Sequence, residues 1–205
     1  AMLTAAGVPL VSCDLAAGPD EAAAAAEKLG FPVALKIESL DIQHKVDVGG
    51  VVLGLQDADA VRAAAAEMRA RVATAAPDAK LDGFLLQQMA PATTEMVIGM
   101  RRDPIFGPVV MVGLGGVFIE VLKDVAFARA PLSEADALYM LDSLRGRAML
   151  DGVRGQAPVD RKALAKMLVA VAEFALANPE IEELDLNPVF AGPDGAIAVD
   201  WLMMA

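Results

Sequence analysis

Short apolar runs bounded by glycine and proline alternate along this chain with stretches whose apolar positions recur at helical spacing. This alternation constrains the fold most strongly, because each kind of segment has one apolar side and needs the other kind to cover it. Residues 19–29 read as a helix, with Pro19 in its first turn and Gly30 just past its end. Residues 32–37 and 51–55 read as short strands. Asp57 can cap a helix that sets Val61, Ala65, Met68 and Val72 on one face. A strand at 84–89 leads into Ala90-Pro91-Ala92, the candidate hinge. Strands are then expected at 95–100, 109–112, 117–122 and 125–130. Ser133 with Asp136 suggests a capping box, and Asp160 can cap a longer helix carrying Leu164, Met167, Leu168, Val171 and Phe174. Strands at 183–190 and 196–201 close the chain. The expected architecture is α+β in two lobes, residues 1–90 and residues 91–205.

Composition narrows the function. Hydrophobic residues make up 56% of the chain, but aromatics only 4%, so Val, Leu, Ile and Met must fill the core. The net charge of -11 offers no basic footprint for nucleic acid or for an anionic membrane surface. Such acidity still permits a nucleotide ligand, whose phosphates can be met by Mg²⁺ and a few placed cations. Cys13 is the single cysteine, which rules out an intrachain disulfide and suits the cytoplasm. The longest apolar run, 105–119, is broken by Pro108 and several glycines and is too short to span a membrane.

Six places could carry chemistry. Lys36 lies in the apolar run Val33-Ala34-Leu35, where its ammonium would be stabilised by a phosphate; a strand-end lysine reaching solvent reads the same locally. The loop 43–51 holds the sole histidine, His44, and the pair Gly49-Gly50. Glycine amides can approach an anion closely, and a neutral imidazole is a competent nucleophile toward phosphorus. An ordinary exposed loop is the plainer reading of that stretch. In the strand 183–190, period-two geometry puts Asp185 and Asn187 on one face with Leu184 and Leu186 opposite. Asp200 interrupts the apolar segment 196–199, where a carboxylate is costly unless it meets a cation. If the two strands are neighbours, Asp185, Asn187 and Asp200 form a cation site; otherwise they make a polar face in water. Gly113-Leu114-Gly115-Gly116 fits neither a dinucleotide fingerprint nor a P-loop, and reads first as a turn, although its backbone could approach a phosphate and Glu120 and Asp124 could add charge near a metal. Gln87 and Glu95 flank the hinge, where adenine and ribose could be met. Arg129 precedes Pro131 in an apolar strand and could meet either phosphate or a surface carboxylate.

Taken in order, Gly7-Val8-Pro9, residues 30–36, 44–51, 103–108, 113–118 and 183–189 resemble the ATP-grasp domain of ADP-forming (NDP-forming) acyl-CoA synthetases of the acetate–CoA ligase type. They are also similar to the β subunit of succinyl-CoA synthetase. The resemblance covers nearly the whole chain. It implies an ATP-grasp fold, with nucleotide held between two lobes, ATP/ADP and Mg²⁺ as cofactors, and ligase chemistry completed by a CoA-binding domain or subunit, in a homo- or hetero-oligomer. By position it makes His44 a phosphohistidine and Asp185 its supporting carboxylate. Lys36, Gly49, Gly50, Gln87, Glu95 and Arg129 would contact nucleotide, and Asn187 and Asp200 would hold the metal. Departures are Val46, where the family has serine, and Gln88, where glutamate is commoner. No CoA-binding domain accompanies the motifs, so the chain is expected to be a separate subunit or part of a longer protein. Two other readings compete. A regulatory nucleotide-binding module of a protein acyltransferase would be expected to have eroded Lys36, His44, Asp185 or Asn187, and all are present. A carboxylate–amine ligase would not need the His44 loop.

Overall fold

The computed structural model describes residues 2–205 except 40, 43, 44, 92, 93, 117, 118, 120, 121 and 154. The chain forms two compact units, Val11–Met89 and Ala1–Leu10 with Ala90–Ala205. The first residues, grouped by sequence with the first lobe, thus pack in the second unit, because Leu3 and Val8 are buried in its core.

The smaller unit contains β1 (Cys13–Ala16), α1 (Pro19–Leu29), β2 (Val33–Glu38), β3 (Val51–Leu55), α2 (Ala58–Ala75) and β4 (Gly83–Gln88). Its antiparallel sheet runs β1-β4-β2-β3. Val33, Leu35 and Ile37 alternate onto one face and pack with Phe84, Leu86 and the small face of α1 (Ala22, Ala25, Ala26). The apolar stripe Val61, Ala65, Met68 and Val72 of α2 completes this core, with the Asp57 carboxylate accepting the Ala60 N–H at its start. Only β1 was not legible in advance: Cys-Asp-Leu-Ala is a mostly exposed edge strand with a weak apolar signal.

The larger unit begins with a one-turn helix, Met2–Ala5, and holds β5 (Thr94–Asp103), β6 (Gly107–Leu114) and β7 (Val125–Arg129). These are followed by α3 (Glu134–Ser143), a 3₁₀ turn at Arg147–Asp151 and α4 (Arg161–Ala177). Three strands end the chain: β8 (Glu183–Gly192), β9 (Gly195–Ala198) and β10 (Trp201–Met204). The sheet runs β10-β8-β5-β6-β7, with β9 also on β8; these strand pairs are antiparallel, and Leu10 adds an isolated parallel bridge to Ala198. Met96, Ile98 and Met100 point to the side where α3 and α4 lie, and form a core with Val110, Val112, Leu184, Leu164, Leu168 and Val171. Ser133 and Asp136 form a full capping box at the start of α3. Arg102 fastens the far end of α4, its guanidinium donating to the carbonyls of Ala175 (2.9 Å), Asn178 (3.1 Å) and Ile181 (3.3 Å).

Two expectations change. Of the strand read at 117–122, Ile119 and Leu122 are helical, and the other four positions lie outside the described residues. Gly115 and Gly116 follow the end of β6 at Leu114, and among the described residues ladder pairing resumes at β7. The closing strand divides at Val199–Asp200. Among the described residues no helix is long and apolar enough to cross a membrane.

The start of α4 makes a testable anchor. The Asp160 carboxylate accepts the N–H groups of Lys162 and Ala163, both at 3.0 Å, and its own N–H donates to Gly192 at the end of β8 (2.8 Å). Asp160→Ala should cost about 1 kcal/mol of stability. In a thermal melt it should lower Tm by about 2–4 °C.

Candidate functional site

In the smaller unit, the face of the sheet away from the helices carries two of the expected residues. Gln87 stands opposite Ala34 and Cys13, and Lys36 opposite Leu85 and Val51. Lys36 and Gln87 are therefore diagonal neighbours on that face, about 7–8 Å apart between Cβ atoms. Lys36 is 8% exposed and Gln87 1% exposed, so neither side chain reaches freely into water.

The loop after β2 is tied down at its far end. The Ile37 N–H donates to the Gly50 carbonyl (2.9 Å), and the Lys45 ammonium lies 3.4 Å from the Glu38 carboxylate. The Gly49 N–H donates to Val46 (2.9 Å) and the Gly50 N–H to Lys45 (2.7 Å). Both amides are thus engaged inside the loop, not displayed as an anion cradle. The glycines serve packing instead: a Cβ on Gly50 would stand 2.6 Å from Ile37 Cδ1 and 2.8 Å from the Lys45 carbonyl oxygen. Val46 is exposed. Gln43 and His44 lie outside the described residues.

In the larger unit, the helix-free face collects the rest. Its rows follow from the register. Asp185 pairs with Gly99, Gly99 with Met111, and Met111 with Phe127; in the next row Glu183 pairs with Arg101, Arg101 with Val109, and Val109 with Arg129. Glu95 shares the parity of Gly99 and Arg101 along β5. Arg129 is on the edge strand, exposed, on the same face.

Asn187 and Asp200 meet through a ladder irregularity. Between Met96↔Val189 and Ile98↔Leu186, the two residues Asn187 and Pro188 oppose only Val97 of β5. This is a bulge, and it falls where Pro188 has no N–H to give. On the other side of β8 the ladder continues, with the Asn187 N–H donating to the Asp200 carbonyl (3.1 Å) and the Val199 N–H to the Pro188 carbonyl (2.9 Å). Asp200 is therefore directly across from Asn187, and one of its carboxylate oxygens accepts the Trp201 N–H at 3.0 Å. Asp185 is two residues along on the same face. Burial pushes its carboxyl above the usual carboxylate range, the negative charges of Glu183 and Asp200 add to this, and a hydrogen bond from the Asn187 side chain opposes it. Among the described residues no group of three His, Cys, Asp or Glu side chains could hold a metal. A carboxylate with an amide oxygen nevertheless suits Mg²⁺, which takes few protein ligands and completes its shell with water and phosphate oxygens. A cation beside Asp185 would also relieve the repulsion that lifts its pKa.

Sequence reasoning missed part of this face. A cavity of about 500 Å³ opens beside Asp185, lined among others by Gly99, Arg101, Pro104, Met111, Phe127 and Glu183. The period-two reading of β5 could have found Arg101, which falls in line with Glu95. Nothing local marks Phe127. Asp124, a candidate second-sphere charge for a metal, is committed elsewhere. Its carboxylate is buried and accepts the N–H groups of Arg145 (2.9 Å) and Gly146 (2.7 Å). Glu120 lies outside the described residues. Asp124→Ala would strand two amide donors and should cost about 1–3 kcal/mol in denaturant unfolding. Loss of Mg²⁺ dependence with stability intact would instead mark Asp124 as a metal group.

The whole chain matches one family model, that of the ATP-grasp domain, over residues 1–204. It is 42% identical over 198 residues to the β subunit of acetate–CoA ligase [ADP-forming] I of Pyrococcus furiosus, covering 97% of this chain and 85% of that protein. It is 40% identical over 203 residues to acetate–CoA ligase [ADP-forming] I of Archaeoglobus fulgidus, covering 99% of this chain but only 30% of that longer protein. Among solved structures it resembles the dinucleotide-forming acetyl-coenzyme A synthetase 1 of Ca. Korarchaeum cryptofilum, with a TM-score of 0.95 and 42% identity over 98% of this chain and 88% of that one. That structure is a complex with coenzyme A, Ca-AMPCP and HgCl+. A second structure of the same enzyme, with a TM-score of 0.87 and 40% identity over 98% of this chain and 87% of that one, holds coenzyme A and Mg-AMPPCP, with a phosphohistidine segment pointing towards the nucleotide-binding site.

Proposed function

The chain belongs to the ATP-grasp domain family, and on that premise we propose that it binds a Mg²⁺–nucleotide and relays phosphate for an ADP-forming acyl-CoA synthetase, in which acyl-CoA, ADP and phosphate interconvert with carboxylic acid, CoA and ATP. The observation that carries this reading is the placement of Asn187 and Asp200 opposite each other across the β8 ladder, with Asp185 on the same face. In this reading Asn187 and Asp200 hold Mg²⁺, which when bound neutralises the phosphate oxygens. Lys36 and Arg129 add positive charge for phosphate. Gln87 meets the adenine edge, and Glu95 accepts hydrogen bonds from the ribose hydroxyls. Gly49 and Gly50 shape the loop whose His44 imidazole nitrogen attacks phosphorus. The N–P bond forms as the bond from the γ-phosphorus of ATP to the ADP oxygen breaks and ADP leaves, and the step reverses when ADP takes the phosphate back from the imidazole. Asp185, whose ionised form a cation held by Asn187 and Asp200 would favour, is the carboxylate that supports this step.

The chain spans 85% of a relative that is a separate β subunit and 30% of one that is a single long protein. This supports a CoA-binding domain or subunit as partner, reached either by association or within one polypeptide; the single cysteine suits a cytoplasmic setting.

Titration calorimetry with ATP and ADP should show binding that requires Mg²⁺. Asp200→Ala should weaken it by about tenfold or more; unchanged Mg²⁺-dependent affinity in that variant would refute the metal assignment. His44→Ala should keep nucleotide affinity but lose acid-labile labelling by γ-³²P-ATP. If labelling persists in the variant, another residue carries the phosphate.

A further inference from the structure

The turn that follows β6 closes over Glu95. The Gly115 N–H donates to the Glu95 carbonyl at 2.7 Å, so this amide is committed to the protein and does not face a phosphate. A Cβ on Gly115 would stand 3.1 Å from the Glu95 carbonyl carbon and 3.2 Å from its Cβ. A Cβ on Gly116 would stand 3.2 Å from Glu95 Oε2, at a backbone φ of +58°. Two consecutive glycines are thus moulded to the backbone and to the carboxylate of one exposed residue.

We infer that Gly115 and Gly116 are positioning residues that fix the Glu95 carboxylate for a vicinal diol and so set the preference of the site for ribonucleotides. This rests on the reading of Glu95 as the ribose ligand. An exposed glutamate samples many rotamers, and fixing it on binding weakens affinity by the entropy lost. Here the lack of a side chain at Gly116 leaves the carboxylate this position, which a Cβ 3.2 Å from Oε2 would crowd, and Gly115 lets the turn pair with the Glu95 backbone. Two carboxylate oxygens held in place match the two O–H donors of a ribose, and a deoxyribose leaves one oxygen unused. A side chain at Gly116 would displace the carboxylate by a few tenths of an ångström, and one at Gly115 would press on the Glu95 backbone and Cβ that carry it.

The test is calorimetry of the full chain with Mg²⁺ and either ADP or 2′-deoxy-ADP. The variants are Gly116→Ala, Gly116→Asn, Gly115→Ala, Glu95→Ala and Glu95→Ala combined with Gly116→Ala. Circular dichroism melts establish folding, and the asparagine variant adopts a left-handed backbone readily while still adding a Cβ. The wild type should prefer ADP by about tenfold. The glycine variants should reduce this to about twofold or less, and in the Glu95→Ala background Gly116→Ala should change nothing further. A purely structural role would lower Tm and both affinities alike, leaving the ratio intact. If Glu95→Ala erases the preference while every folded glycine variant keeps it, the positioning role is wrong. If Glu95→Ala keeps the preference, the ribose reading itself fails, and the inference falls with it.

Discussion

Pro188 has no backbone N–H, and the larger unit is arranged around that lack. A central strand pairs on both sides, so a proline within β8 must leave one ladder position unmade. That position falls on the β5 side, where Asn187 and Pro188 share Val97 as their single counterpart. The extra residue shifts the alternation of β8 by one. Leu184 and Leu186 face the core before the bulge, and Val189 and Ala191 face it after. Without the bulge, strict period two would turn Val189 and Ala191 to the outer face. The shift lets a strand keep its apolar side buried throughout and still present Asp185 and Asn187 outward. The neighbouring segment follows the same shift, so Ala198 and Trp201 pack inward while Asp200 lies across from Asn187. The division between β9 and β10 is the trace of this shared irregularity.

The consequence is an ordered polar face on an apolar slab. Helices α3 and α4 cover one side of the sheet, and the other side carries, along β5 and β8, Glu95, then Asn187 with Asp200, then Asp185 beside Gly99, then Arg101 beside Glu183. Each successive row lies about 6–7 Å further along the strands. Under the proposed roles, a ribose contact, a metal-binding pair and a supporting carboxylate follow one another along the strands. Rigid strands space these groups, and the loops around them adjust the contacts. The smaller unit uses the same device on a smaller scale: its helices take one face of the sheet, and Lys36 and Gln87 occupy the other as diagonal neighbours.

Glycine plays different roles at different points of the molecule. At Gly49 and Gly50 it lets a loop pack against Arg71 and Ile37. At Gly115 and Gly116 it lets a turn close on Glu95. The Gly49, Gly50 and Gly115 amides donate to carbonyls of the protein and so are not displayed to an anion. A glycine pair in a sequence therefore marks a close approach, and the tertiary structure decides what is approached.

Local signals in the sequence sufficed for α1 to α4 and most strands, because caps and apolar periodicity are local: Asp57, Ser133 and Asp160 cap the helices they precede, and residues 19–29 are helical as read. The sequence also determined that Asp185 and Asn187 share a face, since that follows from strand geometry alone. It did not reveal β1, whose edge position leaves little apolar pattern, or the end of β6, where the glycines stop a run that reads as strand beyond them. Nor could it show Asp200 across from Asn187, Asp124 holding the Arg145–Gly146 backbone, or Gly115 and Gly116 against Glu95. Those pairings join residues far apart in the chain, and only the sheet register and the closing of loops over it bring them within hydrogen-bonding distance.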